Sequence, residues 1–415
     1  MITPDLMVKL LLILSLGWVL GYSFSRFGLP VMLGELLAGV ILGPPVLGLV
    51  GPTPAIDLLA ELGIFFVMFH TGVELDPREL LQHFRPCLAV AIGGFVIPFA
   101  LGFATAAGFG GTFHQALFVG MGVSITAIAV QAVVLHSMRI HQSELGHIII
   151  GAAIVDDILA LIVLSTLLGL VGTGSIQFSG VAVILAKVIV FFAATIFIGE
   201  FIVPRISGRL TDKNGKAFTF AMTSALLMAY LAELAGLHLV IGAFLAGQFV
   251  RREVMDEKVY KAVSDQFYSI SYGFLLPIFF ASLSFHLHFV WQGTFLLFCV
   301  VLVIAAIAGK LIGCGIGALA FKYNPWEAGI IGLGMNGRGA VELVVVSLVL
   351  KLSDELLASK VISSPLLTQS QFSGLVLMAF VTTALAPVAL KWAITRSCLS
   401  VEKAEFCTMW DKSRD

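Results

Sequence analysis

Charge is scarce in this chain. Asp, Glu, Lys and Arg make up 12% of its 415 residues, against about 25% in an ordinary soluble domain. That scarcity excludes a disordered polypeptide and an ordinary cytosolic enzyme. The net charge of -1 leaves no basic surface for nucleic acid. Cysteine is scarce too. Cys87, Cys299, Cys314, Cys398 and Cys407 are scattered, odd in number and without a C-x-x-C pair. Neither a disulfide framework nor a structural metal site is expected from them. The short alternating segments of a barrel are missing as well. What is there is apolar: 59% of the residues are hydrophobic and the mean hydropathy is +1.03. The 33 Phe residues suit a lipid-facing surface and helix packing and need no cofactor.

Long apolar runs follow one another almost without a break, which predicts an all-α polytopic membrane protein. Spans are expected near 5–25, 29–49, 56–76, 86–108, 115–137, 147–172, 180–203, 217–236, 237–251, 267–286, 293–321, 325–350 and 371–392. Thirteen spans of about 21 residues take about 273 residues and leave short loops. The ninth is short, and its split from the eighth rests on Gly236 and His238. The first run has Asp5 before it, no basic n-region and no small-x-small cleavage site, so a cleavable signal peptide is not expected. Lys and Arg fall on alternate loops: 18 of the 24 lie on one side, from Arg26 through the tail. That bias puts the N-terminus outside and the C-terminus in the cytoplasm. The tail, about 24 residues after Lys391, is expected to be too short for a regulatory domain.

The chain also repeats itself. Gly34-Glu35-Leu36-Leu37-Ala38-Gly39 matches Gly242-Ala243-Phe244-Leu245-Ala246-Gly247 at an offset of 208, and Gly120-Met121-Gly122 resembles Gly332-Leu333-Gly334 at an offset of 212. The second span is thereby paired with the ninth and the fifth with the twelfth. Members of each pair are seven spans apart and so cross the membrane in opposite directions. That is the inverted-topology repeat typical of secondary transporters.

Ionisable residues deep in apolar spans are expensive and read as functional. Asp156 and Asp157 lie near the middle of the sixth span. Consecutive helical residues point about 100° apart, so one carboxylate can face a cavity and the other a neighbouring helix. A carboxylate in such a place can hold a proton or a cation but not both, which is sufficient chemistry for exchange. The bland alternative is a helix–helix hydrogen bond made by a protonated Asp. Lys310 is too deep in the eleventh span to snorkel and needs a carboxylate partner, naturally Asp156 or Asp157. A lysine capping carbonyls of a broken helix is the alternative. In the twelfth span Gly337 and Gly339 bracket Arg338, so the helix can break there. Glu342, four residues on, could pair with Arg338 on one face, either as a stabilising pair or near a bound ion. The symmetric stretch in the first half is Ser124-Ile125-Thr126, and two crossed broken helices would aim half-helix ends at the site. Glu35, Glu61 and Glu233 read as structural pairs or a funnel lining. Glu74 and Asp76 read as solvated, His70 as a packed, hydrogen-bonded histidine, and His286 and His288 as outer-loop residues.

The Asp-Asp pair after Gly151-Ala152-Ala153, the Lys310 span, Gly334-Met335-x-x-Arg338-Gly339 and the Leu29-Pro30-Val31-x-x-Gly34-Glu35-x-x-Ala38-Gly39 opening resemble the monovalent cation:proton antiporter-2 family, in particular its bacterial Nap-type sodium/proton antiporters. The likeness runs over about residues 5–395. It implies thirteen helices in a core bundle and a dimerisation bundle, with residues 1–172 as one repeat, 180–203 as a linker helix, 217–395 as the second repeat and 396–415 as a short cytoplasmic tail. It implies that Asp157 is the ion-binding aspartate, Asp156 the partner of Lys310, and Thr126 the threonine of the unwound fifth span. Sodium (or lithium, or potassium) and protons are the implied cargo and no cofactor is implied. A homodimer in a bacterial inner membrane, exchanging cytoplasmic sodium for external protons by an electrogenic, elevator-like mechanism, is the implied whole. Two departures stand out: Ala127 replaces the usual serine after the threonine, and Ala340 replaces the usual glutamate after Arg338-Gly339. A potassium/proton antiporter or a potassium efflux protein on the same fold is the alternative. An intramembrane aspartyl protease is disfavoured, because both aspartates are on one helix outside Tyr-Asp and Gly-x-Gly-Asp settings.

Overall fold

A computed structural model describes residues 4–27, 29–75, 78, 82–173, 178–203, 205, 216–250, 257–286, 293–358, 362, 364–400 and 405–411. Every regular element among the described residues is helical. Ten helices are long and apolar enough to cross a membrane. Large apolar side chains such as Leu11, Trp18, Val190 and Ile304 are exposed on them, as a hydrocarbon surround requires. The other three expected spans are short or interrupted. The second is Val31–Leu42 and the ninth Leu239–Gly247; at about 1.5 Å per residue neither covers the roughly 30 Å of a hydrocarbon core. The twelfth is split into Pro325–Gly334 and Ala340–Ala358. The fifth is split too, into Phe113–Ser124 and Ile128–Ser137.

The chain forms two compact units. Met1–Arg78 with Ala182–Phe285 make the first, and Glu79–Val181 with His286–Asp415 make the second. In the first unit a core of Ile13, Leu42, Ile56, Ile278 and Phe285 gathers the first, second, third and tenth spans. In the second, Phe118, Val123, Leu164, Leu302 and Met378 pack together.

Packing obeys the internal repeat. In the first unit, a methyl on Gly34 would strike the backbone of Leu20 and Gly21, and one on Gly242 would strike Met228 and Ala229. Gly39 is pressed on Ala281, and Gly247 on Phe69 and Val73. Leu20 and Gly21 correspond to Met228 and Ala229, and Val73 to Ala281, at the same offset of 208. The second unit repeats at 212. Gly120 abuts Phe99 as Gly332 abuts Leu311. A capping box opens each half-helix: Thr112 with Gln115 before Phe113–Ser124, and Asn324 with Glu327 before Pro325–Gly334. Gly110 has φ +82°, and Lys322 at the equivalent place has φ +69°, a left-handed turn that suits glycine and strains lysine.

Three expectations need correction. The tenth span starts about ten residues early, as Glu257–Ile270, a π turn at Ser271–Leu275 and Leu276–Leu283. Val259, Val263 and Phe267 are buried while Lys261 pairs with Glu257 at 3.0 Å on the outside. A one-sided apolar stripe of this kind escapes a reading that looks for continuous apolar runs. Secondly, Cys398 and Cys407 form a disulfide. The helix Glu405–Asp411 buries Phe406, Cys407 and Trp410, folding the tail back so that the two cysteines meet without a C-x-x-C motif. Thirdly, Glu74 is largely covered, 3.7 Å from the ring of His70. His70 is buried with its Nε2 3.3 Å from the Ser264 hydroxyl, as a packed histidine should be. Asp76, His288 and the basic residues of 206–215 and 251–256 lie outside the described residues, as does the side chain of His286.

Candidate functional site

The site lies in the second unit, where two broken spans meet. Residues 125–127 leave the helix after Ser124, and the chain is extended at Ile125 and Ala127. Met335 to Gly339 interrupt the twelfth span. The Ala127 N–H donates to the Gly337 carbonyl at 3.1 Å, and the Gln131 side-chain amide donates to the same oxygen at 3.0 Å. The thirteenth span holds the other side of the break. The Arg338 N–H donates to the Thr383 hydroxyl at 2.9 Å, and that hydroxyl donates to the Arg338 carbonyl at 2.7 Å. Asn336 donates to the Gly332 carbonyl at 2.9 Å. Backbone groups freed by a break inside a membrane must find such partners.

Around this crossing the structure assembles six buried residues: Thr126, Asp156, Asp157, Lys310, Arg338 and Glu342. The Lys310 ammonium lies 3.3 Å from Asp156 Oδ2 and donates to it. Both are fully buried, so neither charge can be left without the other. The Thr126 hydroxyl is near Asp156 but outside hydrogen-bond geometry. Asp157 uses neither of its oxygens on a protein partner, and Asp156 Oδ1 is unpartnered too. A buried carboxylate without a donor is held only by a proton or a cation. The two are alternatives at one set of oxygens.

Arg338 departs from expectation. Its terminal nitrogen donates to the carbonyls of Ile125 and, at 3.4 Å, Gly122. These are the last carbonyls of the half-helix Phe113–Ser124, the negative end of its dipole. Arg338 is not ion-paired with Glu342, because the helix that would align them begins only at Ala340. The pairing on one helix face that their spacing allows is not made here.

The chain as a whole matches a known group of proteins. The family model described as "Sodium/hydrogen exchanger, transmembrane" matches residues 10–396. The chain belongs to the sodium/hydrogen exchanger family. This exchanger is 31% identical to the Na(+)/H(+)-K(+) antiporter GerN of Bacillus cereus, over 88% of this chain and 90% of that one. It is 30% identical to a Na(+)/H(+) antiporter of Enterococcus hirae, over 93% and 97%. Its fold resembles the sodium proton antiporter MjNhaP1 of Methanocaldococcus jannaschii, with a TM-score of 0.64 at 17% identity over 94% and 97% of the two chains. It is an integral membrane transporter of monovalent cations and protons, not an enzyme.

Sequence reading of this exchanger missed Gln131, Asn336 and Thr383. Each is a polar residue inside an apolar span, which is the signal that could have found them. What hid them is that they hold backbone rather than charge.

Proposed function

We propose that this exchanger trades sodium (or lithium) for protons at Asp157. The observation that carries the reading is a fully buried carboxylate with both oxygens unspent, beside a Lys310–Asp156 pair and an unwound strand bearing Thr126. Asp157 gives up its proton and takes a cation stripped of water. Asp156 and the Thr126 hydroxyl supply further oxygens. As Asp156 turns to the cation its link to Lys310 loosens, and when protons return the link re-forms. Two carboxylates and a lysine share the change in charge, so more than one proton moves per cation and exchange is electrogenic.

Cytoplasmic sodium leaves for external protons by an elevator-like alternating access, in which the unit holding the ion moves as a body. The remaining elements of this reading rest on the loop charges and on the resemblance given above. They are an N-terminus outside, a cytoplasmic C-terminus, an inner-membrane location and a homodimer. The repeats run over 1–172 and 217–395 with 180–203 as linker, within one transmembrane domain of 1–395 and a tail of 396–415. Potassium is the second reading, because the relative GerN carries it in its name.

The test is proton flux in proteoliposomes with a pH-sensitive dye. Sodium, lithium and potassium are added separately, to wild type and to Asp157→Ala. Dissipation of the pH gradient by sodium or lithium in wild type alone is the expected result. Response to potassium alone would replace the substrate, and equal exchange by Asp157→Ala would overturn the site. Faster sodium-driven flux on imposing a membrane potential is expected of an electrogenic cycle.

A further inference from the structure

Glu342 is the one acid of the site to which the proposed exchange gives no part. It is buried in the first turn of Ala340–Ala358, and neither carboxylate oxygen has a partner. Four residues earlier, Arg338 is equally buried and spends only one of its nitrogens, on the Gly122 and Ile125 carbonyls; its Nε and other terminal nitrogen have no partner. A guanidinium and a carboxylate in one buried centre, both with unused capacity and not paired, are one rearrangement from a strong charge-assisted bond. Arg338 lies outside the helix that begins at Ala340 and carries Glu342, so no single helix face fixes their separation.

We propose that Glu342 is a positioning residue that sets where Arg338 sits, and through it how well the site accepts a cation. The proposal rests on the reading of Asp157 and Thr126 as the cation site. Arg338 covers the carbonyls of Gly122 and Ile125 in the arrangement seen here, which the proposal assigns to the protonated state of Glu342. Ile125 adjoins Thr126, so these carbonyls are natural extra oxygens for a dehydrated cation. When the Glu342 proton leaves to water, the carboxylate draws Arg338 off them. Arg338 and Lys310 are the charged groups acting on Glu342. The site then holds three carboxylates against two fixed cationic groups, a deficit that one monovalent cation fills. Ala340 stands where the resemblance places a glutamate, so Glu342 supplies the acid from two residues further on.

The experiment measures sodium, lithium and potassium KM against pH in proteoliposomes, for wild type, Glu342→Gln, Glu342→Asp and the double variant Ala340→Glu/Glu342→Gln. In Glu342→Gln, Arg338 stays on the carbonyls. Sodium KM rises about tenfold, the scale of one lost charge-assisted bond, with a smaller change in maximal rate. The fall of log KM with rising pH becomes shallower by about one proton. Glu342→Asp shows a smaller rise in KM with the wild-type pH slope, and the double variant regains the affinity. Unchanged KM and pH slope in a folded Glu342→Gln protein would overturn the proposal. If that protein does not fold, Glu342→Asp decides: a raised KM with the wild-type pH slope supports it, and a wild-type KM overturns it. Failure of the cation-site reading is recognised separately, by exchange surviving in Asp157→Ala.

Discussion

The second and ninth spans of the first unit and the fifth and twelfth of the second carry related glycine-rich stretches and are used in opposite ways. In the first unit the glycines bring helices into backbone contact: Gly34 on Gly21, Gly39 on Ala281, Gly242 on Met228 and Gly247 on Phe69. The helices there are short but uninterrupted. In the second unit the same kind of stretch ends in an open break. Around that break Thr126, Asp156, Asp157, Asn336, Arg338 and Glu342 all keep polar atoms without a protein partner. Native proteins satisfy nearly all buried polar groups, and this cluster of exceptions is what supports the proposed cation site. The comparison separates a glycine motif that serves closeness from one that serves a gap in the helix.

The largest effect expected from breaking this comparison is functional. Asp157→Ala should reduce sodium-dependent proton flux to the background of empty liposomes, while leaving the protein folded by size-exclusion chromatography. Next in size is Lys310→Ala. It strands the buried Asp156 charge and should destabilise the protein by about 3–5 kcal/mol, read as thermal stability in detergent. Asp156→Leu with Lys310→Leu removes both charges and should restore much of that stability without restoring transport. A double variant no more stable than Lys310→Ala would show that the pair is not what Lys310 contributes.

In the first unit the expected effects are smaller and symmetric. Gly39→Val and Gly247→Val force side chains into backbone and should each destabilise by about 1–3 kcal/mol. Their similarity is the point, since the two sites are one site repeated. In the second unit Gly329 has open space around it, so Gly329→Ala should be neutral or stabilise by about 0.5–1 kcal/mol. Unequal losses at Gly39 and Gly247 would break the equivalence of the two halves.

How much of this was legible depended on what each residue was paired with. Apolar runs located the ten helices long enough to cross a membrane, because burial in lipid is written in composition. The repeat was legible in Gly34 to Gly39 and Gly242 to Gly247, because close approach admits only small residues. Asp156, Asp157 and Lys310 stood out because a charge in an apolar run needs an explanation; that need called for Asp156 or Asp157 beside Lys310, and the structure has Asp156. Arg338 did not follow. Its partners are carbonyl oxygens, which every residue has and no sequence pattern displays. The start of the tenth span was hidden by its charged outer face, although its buried stripe of Val259, Val263 and Phe267 carried the helical period.

The smallest effect is expected at the tail, and it sharpens the proposed orientation. The Cys398–Cys407 bond closes a short loop, worth on the order of 2–3 kcal/mol in the unfolded-chain account. Only the docking of Glu405–Asp411 depends on it directly. If the C-terminus is cytoplasmic, the bond faces a reducing compartment. Both thiols should then react with a membrane-permeant maleimide in growing cells, without added reductant, and form the bond only after purification in air. Cys398→Ser with Cys407→Ser should leave sodium flux within about twofold of wild type, while faster amide exchange appears over residues 405–411. Thiols protected in cells until a reductant is added would place the tail on the oxidising side and reverse the orientation inferred from the loop charges.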